Sequence, residues 1–225
     1  MKSFGAYINE GINDPAIFKA VFMAGGPGSG KSFIGGKTGL VSLGFRVINS
    51  DDVFEKQLKK AELEATPENI YSDKGQEIRM GSKYLTAKKQ ELSLNGRLGL
   101  LVDGTGKDVA KIKRQKFALE RLGYECMMIF VNTTEETSLS RNRMRARTLP
   151  DKNVSKMWKD VQENIGAFQR LFGENFVVVD NTEGKDYKRE TEHAYKKASV
   201  FAKKKPKTRK AASWMRREKG RRGIK

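Results

Sequence analysis

Gly25-Gly-Pro-Gly-Ser-Gly-Lys-Ser32 is the stretch whose reading decides the fold. It fits G-x-x-x-x-G-K-[ST], the phosphate-binding loop pattern, and it stands in the context that pattern requires. An apolar, strand-like run over 18–24 leads into it, and a segment able to start a helix follows. Gly25, Gly26, Gly28 and Gly30, with Pro27 and Ser29 among them, let successive backbone N–H groups turn inward around a phosphate. Lys31 then reaches the β and γ phosphates, and the Ser32 hydroxyl is offered to Mg²⁺. The motif predicts a nucleoside triphosphate, ATP, with Mg²⁺ as its companion ion.

Outward from this loop, short apolar runs alternate with longer polar stretches. Strands are expected over 18–24, 45–50, 98–103, 124–132 and 175–180. Helices are expected over 31–43, 52–95 with a break near Thr66-Pro67, 107–123, 134–147, 151–172 and 186–202. The strand runs are continuously apolar rather than alternating, so both faces of the sheet should be covered and the strands mostly parallel. The fold class is therefore α/β, a three-layer P-loop NTPase of the nucleotide-kinase kind on a five-stranded, mostly parallel sheet. Residues 1–17 read as an N-terminal arm, 18–202 as the P-loop domain with a lid at about 140–150, and 203–225 as a basic, flexible tail.

Charge sets that last segment apart. The chain of 225 residues carries +18, and residues 203–225 hold twelve Lys/Arg against one acid, Glu218. A strongly basic end points to a polyanion, so DNA or RNA is an expected partner through 203–225, with Trp214 able to stack on an exposed base. A protein dock or mere solubilising charge is the rival reading of the tail. The one cysteine, Cys126, lies inside an apolar run and reads as a buried strand thiol in a reducing compartment. No secretory signal or membrane-length apolar run is present, so a soluble, cytoplasmic protein is expected.

In parallel sheets the chemistry gathers at the carboxyl ends of the strands. The second strand runs into Asn49-Ser-Asp-Asp52 and the third ends Val102-Asp-Gly-Thr-Gly106. Asp51 facing a triphosphate can take the proton of an attacking hydroxyl, the task of the acid in kinase-type transfer. Asp52 is as well suited to capping the next helix. Asp103, an acid closing an apolar strand, can hold Mg²⁺ through water, bind substrate or cap a helix. Arg141, Arg143, Arg145 and Arg147 crowd four guanidinium groups into seven residues, which calls for an anion nearby. A lid arginine stabilising charge on the transferring phosphoryl group is the functional reading.

These stretches together resemble the P-loop kinases that include zeta toxins and phage polynucleotide 5′-kinases. The resemblance is carried by residues 22–32, Ile48-Asn-Ser-Asp-Asp-Val-Phe54, Val102–Gly106 and the arginines before Leu149-Pro150, within roughly 18–182. It implies that Asp51 activates the acceptor hydroxyl, that Arg145, with Arg141 next, is the lid arginine, and that Asn181 lies near the nucleotide base. It implies a phosphotransferase acting on an alcohol group. Polynucleotide kinases of this kind carry an arginine shortly after the acidic pair, where this chain has Phe54 and Glu55. That difference favours a sugar nucleotide or other small acceptor, whereas the basic tail favours a nucleic-acid 5′-hydroxyl. An ATP-binding or ATPase module of a phage or nucleic-acid assembly, anchored by its tail, is the alternative outside catalysis.

Overall fold

The five apolar runs become β1 (Lys19–Ala24), β2 (Arg46–Ile48), β3 (Leu100–Asp103), β4 (Glu125–Asn132) and β5 (Phe176–Asp180) in a computed structural model that describes residues 11–144 and 148–223. Between and after them run α1 (Lys31–Lys37), α2 (Ser50–Lys60), α3 (Pro67–Tyr71), α4 (Asp73–Asn95) and α5 (Val109–Arg121). Then come α6 (Glu135–Arg143), α7 (Asp151–Glu163), α8 (Ile165–Phe172), α9 (Tyr187–Lys203) and α10 (Arg209–Arg221). All strand pairings are parallel, in the order β2-β3-β1-β4-β5. The α/β, three-layer expectation holds. The order brings β3 between β2 and β1, so the acid that ends β3 lies beside both the phosphate loop and the turn after β2.

Period-two side-chain alternation sends each strand's apolar residues to two separate cores. Ala20, Phe22 and Ala24 face Ile112 and Leu119 of α5, Val161 of α7, and Phe168 and Phe172 of α8. Val21 and Met23 face Ile34 of α1 and Ala194, Ala198 and Phe201 of α9. Cys126 belongs to the first core, and burial pushes its thiol up to about 12, so it is a packing residue with negligible thiolate at neutral pH.

Three helices are shorter than their periodicity suggests, two of them for a local reason. α1 stops at Lys37 because Gly39 turns left-handed, at a φ of 57°. The expected helix over 151–172 breaks at Asn164, whose amide donates instead to the carbonyls of Gly106 and Lys107. α6 ends at Arg143, and Arg145 and Arg147 lie outside the described residues.

Both ends of the chain correct the sequence reading. Residues 11–17 are part of the body: Ile12, Ala16 and Ile17 are buried, and Asp14 pairs with Arg46 beneath β2. The expected flexible tail carries a docked helix. In α10, Ala211 is fully buried, Trp214 meets Phe18 edge to face at 5.4 Å, and Thr208 both caps the helix and donates to the Gly123 carbonyl. Counting charges concealed the reason. Ala211, Trp214 and Met215 fall on one face at helical spacing and close the first core at the amino ends of the strands.

Candidate active site

The phosphate loop follows β1 directly, and its glycines are required by contact as well as by conformation. A Cβ on Gly28, at a φ of 70°, would sit 2.5 Å from the Ser138 carbonyl oxygen. One on Gly30, at 81°, would sit 2.4 Å from the Asn181 amide. Any side chain here would displace a neighbour that holds the loop. Those neighbours are specific: Ser138 donates to the Pro27 carbonyl, Arg141 to that of Gly28 at 3.3 Å, and Asn181 to that of Ser29 at 2.8 Å. Lys31 turns its ammonium to the Gly25 carbonyl at 2.8 Å.

Opposite the loop, Asn49 organises the acids. Its side-chain oxygen accepts from the Asp51 backbone N–H at 2.9 Å, capping α2, while its amide donates to Asp52 and to Asp103 Oδ2, each at 3.0 Å. Asp52 is thereby held by its neighbour. Asp51, exposed, lines a cleft of ≈ 360 Å³ shared with Asp103, Lys111 and Gln115. Asp103 Oδ1 is buried and has no hydrogen-bond partner among the described residues. Burial raises the pKa of this carboxyl above its ordinary value, against the opposing pull of Lys31, and the charges of Asp52 and Asp51 raise it further. A desolvated carboxylate oxygen left without a donor, with an ammonium nearby, is suited to a hard cation or its water. Mg²⁺ typically takes one or two protein ligands beside substrate phosphates, and no cluster of three or more acids, His or Cys occurs among the described residues. Ser32 and Asp103 fit such an ion.

The structure thus gathers Gly25 to Ser32, Asp51, Asp103, Arg141 and Asn181 at one end of the sheet. Asn181 is buried beneath the loop and bonded to its backbone, so its visible part is to brace the loop. Arg143 turns outward to Asp151. Arg145, the lid arginine expected first, lies outside the described residues. Asn142 exchanges hydrogen bonds with the Leu149 backbone, accepting at 3.1 Å and donating at 2.7 Å. Neither Ser138 nor Trp158 stands out in the sequence as a contact of the loop. The Trp158 indole donates to the Thr133 carbonyl at 2.8 Å, and its ring lies beside Gly26. Only their spacing on α6 and α7, facing the loop, could have signalled them.

The family model for zeta toxin matches residues 12–192, and the chain belongs to that family. The match takes in the phosphate loop, both acids and Arg141, and it begins within the expected arm. Among solved structures, one from the PezAT chromosomal toxin–antitoxin system of Streptococcus pneumoniae is 17% identical, with a TM-score of 0.53 over 81% of this chain and 86% of its own. A gluconokinase from Sinorhizobium meliloti is 14% identical, with a TM-score of 0.51 over 83% of this chain and 94% of its own. At such identities the likeness is one of fold. No curated protein matches the chain in sequence. No helix among the described residues is long and apolar enough to cross a membrane.

Proposed function

We propose that this zeta toxin family member is an ATP- and Mg²⁺-dependent phosphotransferase that moves the γ-phosphoryl group to a hydroxyl acceptor. The observation that carries the reading is the buried, unpartnered Oδ1 of Asp103, with Lys31 on one side and the Asn49–Asp52 turn on the other. The loop amides and Lys31 hold the β and γ phosphates, and Ser32 and Asp103 hold the metal. Mg²⁺, when bound there, neutralises charge on the phosphate oxygens.

Asp51 receives the proton as the acceptor oxygen bonds to Pγ and the bond from Pγ to the bridging oxygen breaks, ADP leaving with the electron pair. Its carboxylate is free of the Asn49 bond that holds Asp52, which is why the role falls to Asp51. Arg141 is anchored at the loop by Gly28, within reach of the charge that develops on the transferring group. Arg145, from the sequence resemblance, is assigned to the same task. The acceptor occupies the cleft lined by Asp51 and Asp103. A screen of γ-labelled ATP against 5′-hydroxyl oligonucleotides, sugar nucleotides and nucleosides tests this. Label should pass to one class and fail to pass with Asp51→Asn. Mg-ATP binding by Lys31→Ala as tight as the parent's would overturn the assignment.

A further inference from the structure

At the other end of the sheet, α10 and the C-terminal end of α5 enclose a cavity of ≈ 340 Å³. Arg97, Arg121, Arg209, Lys210 and Arg217 line it together with Trp214, and no acid among the described residues lies on its wall. Arg121, Arg209 and Arg217 are exposed at the cavity, while Lys210 gives its ammonium to the Arg121 carbonyl at 2.8 Å.

Arg97 is there at a cost. It occupies the residue after the α4 cap with φ at 57°, in a turn where Leu98 N–H bonds to the Ser93 carbonyl and Arg97 N–H to that of Leu94. Glycine is the residue that fits this left-handed position without strain. Its guanidinium lies 6.0 Å from the Trp214 ring and donates to the Leu94 carbonyl, while its Nε is buried without a partner among the described residues.

Shared wall residues run from the cavity towards the active site. The cleft that holds Asp51 and Asp103 shares Gln90, Leu94 and Leu122 with a hollow of ≈ 430 Å³ beside α4. That hollow shares Arg97 and Leu122 with the basic cavity. Glu91 is the acid along this hollow, and Lys88 pairs with it at 2.9 Å.

We propose that the basic cavity is a phosphodiester site for single-stranded nucleic acid, and that the groove between α4 and α5 leads the strand from it to Asp51. The second half rests on the phosphotransferase reading above. Guanidinium forks suit phosphate oxygens, and the indole beside them suits a base, which favours a nucleic acid over an acidic peptide. Arg97 and Asp103 are six residues apart, so at most about 20 Å at about 3.3 Å each. A strand stacked at about 3.4 Å per nucleotide spans that with about six.

The binding test uses full-length protein, no ATP, and 5′-hydroxyl DNA oligonucleotides labelled at the 3′ end, read by anisotropy. Arg121→Glu with Arg217→Glu should weaken binding at least tenfold, roughly the effect of losing two phosphate contacts. The slope of log affinity against log salt should shrink by about 1.4, at about 0.7 per single-strand contact. Arg97→Gly removes the guanidinium while easing the backbone, so it should weaken binding without lowering Tm. Absence of binding by the parent, or equal binding by these variants, would overturn the cavity site. So would polyglutamate of matched charge binding as tightly and with the same dependence on Arg121 and Arg217.

The groove is tested by transfer. Extending the acceptor from two to about eight nucleotides, enough to span the groove, should lower KM for the parent and not for the double variant. A KM independent of length would overturn the groove half. If the parent phosphorylated no hydroxyl at all, the kinase reading would fail, while anisotropy would still decide the cavity.

Discussion

The two ends of this sheet are both built for anions, by opposite means. At the carboxyl ends of the strands the phosphate loop offers backbone N–H groups, shaped by glycines and braced by Ser138, Arg141 and Asn181. At the amino ends a cavity is walled by side-chain cations from α5, α10 and the turn after α4. The first is made by eight consecutive residues, and its backbone is already held by hydrogen bonds. The second exists only because α10 docks, and its cations come from places 24 to more than 100 residues apart in the chain. A backbone site is a property of one segment, whereas a side-chain site is a property of the fold.

If the two ends are independent, changes at one should leave the other's ligand untouched. The largest effect is expected at the upper end. Asp51→Asn keeps the side chain's size but cannot take a proton, so turnover should fall by about 10²–10⁴-fold with ATP affinity nearly unchanged. Steady-state kinetics beside ATP titration measures both, and a loss of oligonucleotide binding in the same variant would break the comparison.

Next comes Glu125→Ala at the lower end. Lys19 has no exposed side-chain surface and pairs with Glu125, which also accepts from the Lys207 backbone at the entry to α10. Removing the acid strands a buried ammonium and should cost about 3–5 kcal/mol in urea unfolding. Lys19→Met with Glu125→Leu should recover most of it.

Truncation after Ala202 should cost less, about 2–3 kcal/mol, since it uncovers Phe18 and removes the packing of Trp214 and Ala211. Calorimetry that found no loss of stability would return the tail to a mere appendage.

The smallest effect is one of sign. Asp103 has a raised pKa in the folded chain, so the native state holds a proton more tightly than the unfolded state does. Its contribution to stability is therefore largest at low pH and is lost as pH rises from the ordinary carboxylate value through the raised one. At pH 7 its charge opposes folding. Asp103→Asn should raise Tm slightly there while depressing Mg-ATP turnover, and a lower Tm would show that the carboxylate stabilises the fold.

The sequence by itself determined the phosphate loop, the five strands and their parallel sense, and the two acids at strand ends. Each of these is local: glycine spacing sets loop shape, and unbroken apolar runs require cover on both faces. Val161 and Phe168 could be placed on a helix from their spacing, and burial agrees. What only the tertiary structure decided is the strand order that sets Asp103 beside Lys31, the reach of Arg141 to Gly28, and the docking of α10. Twelve cations in the last 23 residues hide a three-residue apolar face, Ala211, Trp214 and Met215, whose worth depends on Phe18 lying where it can meet it. Charge is read residue by residue, but a contact needs both partners, and the second partner lies almost 200 residues away.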